Sequence, residues 1–188
     1  MKSKMNNKKY SLIYADPPWH VIKYERKKVR PNQGRYLDYP TMSVEEIKNL
    51  PVERLAEEIC YLFMWTTQRY LPDAFEVMKA WGFNYGRTIT WDKKNGICAM
   101  GFHHRTEFLL FGWRGKLDMF PKRKTIPTIF QISSKGLRHS EKPAEIRKAI
   151  EVFAGCGNMI ELFAREKVKG WDCFGNEVEG SMDSWLSN

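Results

Sequence analysis

Asp16, Pro17, Pro18 and Trp19 follow directly on Tyr10-Ser11-Leu12-Ile13-Tyr14-Ala15, an apolar, β-prone run. The acid therefore falls where a buried strand ends, and ligands of open α/β sheets sit at the carboxyl ends of strands. Prolines have a fixed φ and no N–H, so the turn is stiff and offers few donors of its own. On this reading the Asp16 oxygens and the Pro17 carbonyl accept hydrogen bonds from an –NH2 group, and Trp19 stacks on the ring that bears it. A set of this kind grips a planar amine. The plain alternative is a strand-ending turn with an aspartate cap, which would have no use for the aromatic.

A second constellation lies near the carboxyl terminus. Glu161-Leu162-Phe163-Ala164-Arg165 ends one apolar run, and Trp171-Asp172-Cys173-Phe174-Gly175-Asn176-Glu177 ends the next. Two neighbouring strands thus deliver polar residues at their carboxyl ends. An acid at the tip of the second is a common device for holding ribose hydroxyls. Glu161, Phe163, Arg165, Asn176 and Glu177 are candidate cofactor contacts on this ground. Lys142, in Arg138-His139-Ser140-Glu141-Lys142-Pro143, stands just before a helical pattern, where the helix dipole favours an anion that the lysine would help to hold. Gly155-Cys156-Gly157 is not a glycine-rich cofactor loop. Such a loop follows a strand and opens a helix, whereas here a helix precedes and a strand follows.

The elements that must position these groups alternate along the chain. Strand patterns cover Lys9–Ala15, Ile59–Trp65, Tyr85–Trp91, Glu107–Trp113, Ile129–Ser133, Asn158–Phe163 and Trp171–Gly175. Several are nearly continuous apolar runs, as in strands covered on both faces. Helical patterns cover Val44–Leu50, opened by the capping box Ser43-Val44-Glu45-Glu46, then Pro72–Trp81, stopped at Gly82, and Pro143–Phe153, stopped at Gly155. Strands alternating with helices imply an α/β fold with a Rossmann-like, doubly wound and mostly parallel sheet of about seven strands. Trp19–Tyr39, Asp92–Thr106 and Arg114–Thr128 read as long loops, which in a compact domain are usually functional or disordered.

A chain of 188 residues with 43% hydrophobic content suits one core, read as a single domain over residues 1–188. No run approaches the ~20 apolar residues of a membrane span, and the lysine-rich start lacks the apolar stretch of a signal peptide. A soluble, cytoplasmic protein with no membrane partner is expected. Cys60, Cys98, Cys156 and Cys173 are scattered without a C-x-x-C pair, and His103-His104 has no second cluster beside it. No metal and no disulfide framework are expected. The net charge of +9 points to a polyanionic partner. Lys23, Arg26, Lys27, Lys28, Arg30 and Arg35 crowd the segment after the proline motif, with Tyr24 and Tyr36 interleaved. Arg114, Lys116, Lys122, Arg123 and Lys124 form a second group. Two basic loops beside a turn that grips an amine suggest a phosphate footprint.

The ordered series Ala15-Asp16-Pro17-Pro18-Trp19, Tyr39-Pro40-Thr41-Met42-Ser43, Phe63-Met64-Trp65-Thr66, Ser140-Glu141-Lys142-Pro143, Glu161-Leu162-Phe163-Ala164-Arg165 and Gly175-Asn176-Glu177 resembles the MT-A70 family of adenine methyltransferases. That family includes the catalytic subunit of the messenger-RNA adenosine methyltransferase and many bacterial and phage relatives. The resemblance runs from about Tyr10 to Glu177. It implies a class I methyltransferase fold with permuted motif order and S-adenosylmethionine as cofactor. The family's D-P-P-W motif matches Asp16–Trp19. The cofactor contacts map onto Lys142 for the methionine carboxylate and onto Arg165, Asn176 and Glu177 for the ribose. The gating tyrosine maps onto Tyr39, and the acid at the substrate rim onto Glu107. Members often carry an amide where Glu177 stands, and the large members have upstream modules, so this chain resembles the minimal catalytic core. The implied reaction is methylation of the adenine N6 amine in nucleic acid, with the base flipped out or unpaired. DNA is favoured over RNA, on a monomer or homodimer. The alternatives are an RNA methyltransferase and a catalytically inactive binding subunit.

The basic segment generates a test of its own. If Lys23, Arg26, Lys27, Lys28 and Arg30 contact phosphates, replacing two of them with Ala should make the log–log salt dependence of duplex-DNA binding shallower by about two units. Cofactor affinity and base preference should be unaffected, because phosphate contacts position without specifying. A salt titration of the double variant checks this, and an unchanged slope assigns the cluster to solubility alone.

Overall fold

A computed structural model describes residues 8–20, 40–99, 101–116, 125–138, 140–155, 157–175 and 178. Its apolar runs pair into one sheet of seven strands: β1 (Tyr10–Ala15), β2 (Ala56–Thr66), β3 (Asn84–Ala99), β4 (Phe102–Arg114), β5 (Ile129–Gln131), β6 (Met159–Leu162) and β7 (Asp172–Phe174). Their spatial order is β5-β3-β4-β2-β1-β6-β7. β1 is parallel to β2 on one side and to β6 on the other, and β6 is parallel to β7 and β3 to β5. Only β4 runs against its neighbours, β2 and β3. This is the mostly parallel, Rossmann-like sheet that the sequence implies. The chain leaves β1 for β2 on one side and later returns to β6 on the other. That reversal opens a crevice at the carboxyl end of β1.

Strand side chains alternate, so each buried strand feeds two cores. Ile13, Ala15, Leu62 and Met64 face one way, under α1 (Val44–Lys48) and α2 (Leu71–Ala80). Leu12, Tyr14, Phe63 and Trp65 face the other way, under α3 (Ala144–Ala154). The capping box forms as read: Ser43 Oγ accepts from the Glu46 N–H, and Glu46 Oε2 accepts from the Ser43 N–H. Helix α1 stops at Lys48, two residues short of the expected end, and Pro143 caps α3 instead of lying in its first turn. Gly155 at φ +76 ends α3 and β6 follows, which agrees with a turn and not with a cofactor loop.

The larger departure is Asp92–Thr106. The segment is no loop, since β3 and β4 continue through it as a hairpin, with Asp92 opposite Thr106, Ile97 opposite His104 and Ala99 opposite Phe102. Lys93-Lys94-Asn95-Gly96 lacks apolar alternation because both faces of this ribbon are wet, so no periodic signal survives there. Pairing instead comes from the adjoining buried strands and from Arg105, whose guanidinium grips both Asp92 oxygens. Between Asp92 and Ile97 the register slips, and Lys94 takes φ +58. Bulges of this sort re-aim side chains beside active sites.

The α3 face sets a stability expectation. Ile150 is fully buried against the sheet, while Val152 on the same helix is 56% exposed. Ile150→Ala should cost about 2–5 kcal/mol through lost burial and a cavity, and Val152→Ala within about 0.5 kcal/mol. Urea midpoints at a common slope measure both.

Candidate active site

The Asp16–Trp19 turn begins where β1 ends. Its backbone is pinned on both sides: the Asp16 N–H donates to the Leu162 carbonyl, and the Trp19 N–H to the Pro17 carbonyl at 2.8 Å. The Met42 N–H donates to the Pro18 carbonyl at 2.9 Å, and Trp19 and Met42 form an isolated bridge. Two prolines supply carbonyls without competing donors. The Pro17 carbonyl closes the turn on itself, and the Pro18 carbonyl clamps it to the segment at Met42, an arrangement that His20 Nδ1 and Thr41 Oγ1 reinforce at 3.1 Å. The Pro17 carbonyl is thus not idle as expected, although a second lone pair remains on it.

Trp19 also differs from expectation. Its ring is 8% exposed, stacked on Tyr70 at 5.4 Å, with the indole N–H donated to the Trp65 carbonyl at 3.1 Å. Tyr70 in turn donates its hydroxyl to the His20 carbonyl. A large apolar ring gains more from this burial than from waiting for a ligand. In this structure Trp19 is a pin that locks the turn.

Beside the turn, on the α3 side, four charges alternate. Lys142 Nζ donates to Asp16 Oδ2 at 2.7 Å and to the Ser140 carbonyl at 3.0 Å, and stands 3.5 Å from Glu107 Oε2. Lys93 Nζ closes the row at 3.1 Å from Glu107 Oε1. The two ammonium groups sit over aromatic rings, Lys142 over Trp65 at 5.5 Å and Lys93 over Trp91 at 5.9 Å. Trp65 itself is held by donating its indole N–H to Tyr14 Oη at 2.6 Å. Burial pushes the Asp16 carboxyl above its ordinary value, and Glu107 adds to this, while Lys142 and Arg165 pull it down. Asp16 Oδ1 takes no hydrogen bond from the described residues. It is the oxygen open to an incoming donor.

Below this row, on β6, lies Glu161. Arg147 of α3 stands 3.4 Å from its Oε2, yet neither that oxygen nor Arg147 Nε has a hydrogen-bond partner among the described residues. Burial lifts the Glu161 carboxyl to about 7, against the pull of Arg147 and with Asp16 adding to the rise. An unsatisfied buried acceptor at the end of a strand suits a hydroxyl donor. Next to it, Gly175 runs so close to β6 that a Cβ there would come within 2.0 Å of the Ala164 carbonyl. Only glycine permits this approach, which brings the end of β7 against the end of β6. Phe163 takes φ +64 at the same edge.

Of the expected site residues, the fold thus gathers Asp16, Lys142 and Glu107, with Glu161, Phe163 and Arg165 around them. Asn176, Glu177, Tyr39, Lys23, Arg26, Lys27, Lys28 and Arg30 lie outside the described residues. Among the described residues no group of three or more His, Cys, Asp or Glu is gathered to hold a metal, and no helix is long and apolar enough to cross a membrane. Lys93, Tyr70 and Arg147 were not anticipated. Lys93 was hidden by reading the hairpin as a loop. Arg147 had a visible signal, a charge lying three residues before Ile150 and so on the apolar stripe of α3.

Glu161 gives the site a pH signature. A carboxyl whose folded pKa is raised binds its proton more tightly folded than unfolded. The stability it contributes is therefore absent above about pH 7 and gained as pH falls towards the ordinary 4.5. Glu161→Gln removes this titration. Between about pH 8 and pH 5 the wild type should gain on the order of 1–3 kcal/mol relative to the variant in urea melts. A pH-independent difference refutes it.

The chain is 33% identical over 186 residues to the type II methyltransferase M.MunI of Mycoplasma sp, an alignment covering 91% of this chain and 78% of that protein. It is 27% identical over 183 residues to the N(6)-adenosine-methyltransferase catalytic subunit METTL3 of Homo sapiens, covering 92% of this chain and 29% of that one. A third relative, the N(6)-adenine-specific methyltransferase METTL4 of Homo sapiens, is 27% identical over 189 residues, 91% of this chain and 38% of that one. This chain therefore spans well under half the length of the two human relatives. The MT-A70 family model matches residues 10–177, from the first residue of β1 to the Gly-Asn-Glu motif, and the chain belongs to that family.

Proposed function

We propose that the protein transfers a methyl group from S-adenosylmethionine to the N6 amine of adenine in DNA. The observation that carries the reading is Asp16: a carboxylate just past the carboxyl end of β1, with one oxygen held by Lys142 and the other without a hydrogen bond among the described residues, next to a proline carbonyl with a lone pair to spare.

The residues suit the cofactor. Lys142 offers a cation for its carboxylate, while Arg165 and Glu161 Oε2, which lacks a hydrogen bond among the described residues, offer a donor and an acceptor for the ribose hydroxyls. We assign Asn176 and Glu177, beyond the Gly175 approach, to the same ribose. When bound, S-adenosylmethionine supplies an electrophilic methyl group on a sulfonium.

The chain's own residues do the rest. Adenine's amine is a poor nucleophile because its lone pair is delocalised into the ring. Accepting its two N–H groups at Asp16 Oδ1 and the Pro17 carbonyl draws the nitrogen towards tetrahedral geometry and localises the pair. The charge that develops on nitrogen then faces a carboxylate already in place. The raised pKa of Asp16 fits it to take up the proton that the nitrogen must shed. Rigid placement by the clamped turn supplies the orientation. We assign Glu107, beside Lys142, to the rim of the substrate site, and to Tyr39 the stacking of the base, since the Trp19 ring is buried against Tyr70.

DNA is supported by the likeness to a type II methyltransferase, which is greater than that to METTL3 in identity, 33% against 27%, and in the share of the relative covered, 78% against 29%. Cytoplasmic action on DNA follows from this reading. Incubation with methyl-labelled cofactor and matched DNA and RNA, single- and double-stranded, tests it. Label in DNA is expected, and label in RNA alone transfers the chemistry to the other polymer. Asp16→Asn keeps the shape but loses the charge and turns a donor towards a donor. Turnover should fall by at least ~10²-fold, the scale of losing a positioned polar catalyst, with cofactor affinity largely kept. Near-normal turnover in this variant would remove the mechanism.

A further inference from the structure

The β3–β4 hairpin reaches past the sheet. β4 pairs with β2 only from Arg114 down to Phe108, and β3 pairs with β5 only as far as Asp92. Beyond these points, Lys93–Ala99 and Phe102–Thr106 form a two-stranded ribbon. Its base is still held by the Ser134 N–H on the Lys93 carbonyl, Asn95 on Ser133 Oγ and Gln68 on Thr106 Oγ1, and past Asn95 no strand flanks it among the described residues. It projects from the carboxyl edge, since β4 runs against β2 and its first residues stand where β2 ends. The base of the ribbon belongs to the pocket: Lys93 and Glu107 stand there, in line with Lys142 and Asp16.

The tip is unusual. Gly101 at φ +80 turns the chain, and the next residue, Phe102, is 72% exposed, more than any other large hydrophobic among the described residues. Its surroundings are cationic or neutral. From Lys93 to Thr106 the sequence holds Lys93, Lys94, His103, His104 and Arg105 and no acid. Arg105 and Lys93 are spent on Asp92 and Glu107, whereas Lys94, His103 and His104 are exposed.

We propose that this ribbon enters a groove of duplex DNA and that Phe102 wedges into the base stack where the target adenine leaves it. The proposal rests on the amine-methylation reading and says how a paired base reaches Asp16. A two-stranded ribbon fits the major groove, and an apolar side chain pushed between base steps, the device of minor-groove binders, unstacks them. Phe102 stands five positions beyond Glu107 along β4, about 17 Å at the rise of a strand. A groove is about 8 Å deep, so the ring reaches the stack while the pocket stays outside it. A second copy of this chain is the weaker occupant. One exposed ring is small against the area that a stable protein interface buries, and two ribbons free of acids would meet cation to cation.

Strand state provides the test. Wild type, Phe102→Ala and Phe102→Trp are assayed with methyl-labelled S-adenosylmethionine on adenine-unmethylated DNA, as duplex and as separated strands of the same DNA. Flipping costs little when the base is already unpaired. The ratio of duplex to single-strand rate should therefore fall at least about tenfold in Phe102→Ala and return in Phe102→Trp. An unchanged ratio, or an equal loss on both substrates, overturns the wedge. So does dissociation of a dimer by Phe102→Ala in sedimentation, which assigns the tip to a second copy. Wild type that labels only single strands overturns the wedge and leaves the methylation reading standing. Wild type that labels no nucleic acid removes both.

Discussion

Lys142 reaches back across the fold to Asp16, and the carboxyl edge of the sheet is arranged around that contact. Its side chain is 11% exposed, and an ammonium so enclosed is costly unless its charge is met. Two carboxylates, one carbonyl and an indole face meet it. The demand propagates outward. Glu107 needs a cation on its far side and finds Lys93, Lys93 needs the bulge of β3 to aim it, and the bulge needs Arg105 on Asp92 to hold the hairpin base. Each step is a charge compensating the last, so the pocket and the ribbon are one electrostatic unit.

The same contact sets the basicity of Asp16. Desolvation raises its affinity for a proton and Lys142 lowers it. A carboxylate held between these influences stays available as an acceptor yet is a better base than one in water. In the proposed reaction, stability and chemistry thus draw on one geometry, and a change that relieves the burial also lowers the basicity of Asp16.

The sheet was legible because its buried strands are continuous apolar runs, and all seven form close to their expected places. The helices were legible from caps and stops: Ser43, Gly82 and Gly155. What the pattern could not carry was pairing between wet strands. Asp92–Thr106 has no alternation, so its pairing, and with it the match of Lys93 to Glu107, shows only in three dimensions. Trp19 was misplaced for a related reason. An aromatic after two prolines belongs to no periodic element, so nothing in the sequence says which way its ring turns, and Tyr70 decides it. Asp16 and Lys142 were each visible as chemistry, but a contact between residues so far apart in the chain is fixed by topology alone.

The clamp at the catalytic turn has an evolutionary side. Pro18 and Trp19 are fastened to Met42, and His20 to Thr41, so the chain between them leaves and re-enters at one point. For a segment whose ends are already joined, length is nearly free: doubling it costs only about 0.6 kcal/mol of closure entropy. The stretch between His20 and Thr41 can therefore lengthen, shorten or change its composition while the turn that carries Asp16 keeps its shape.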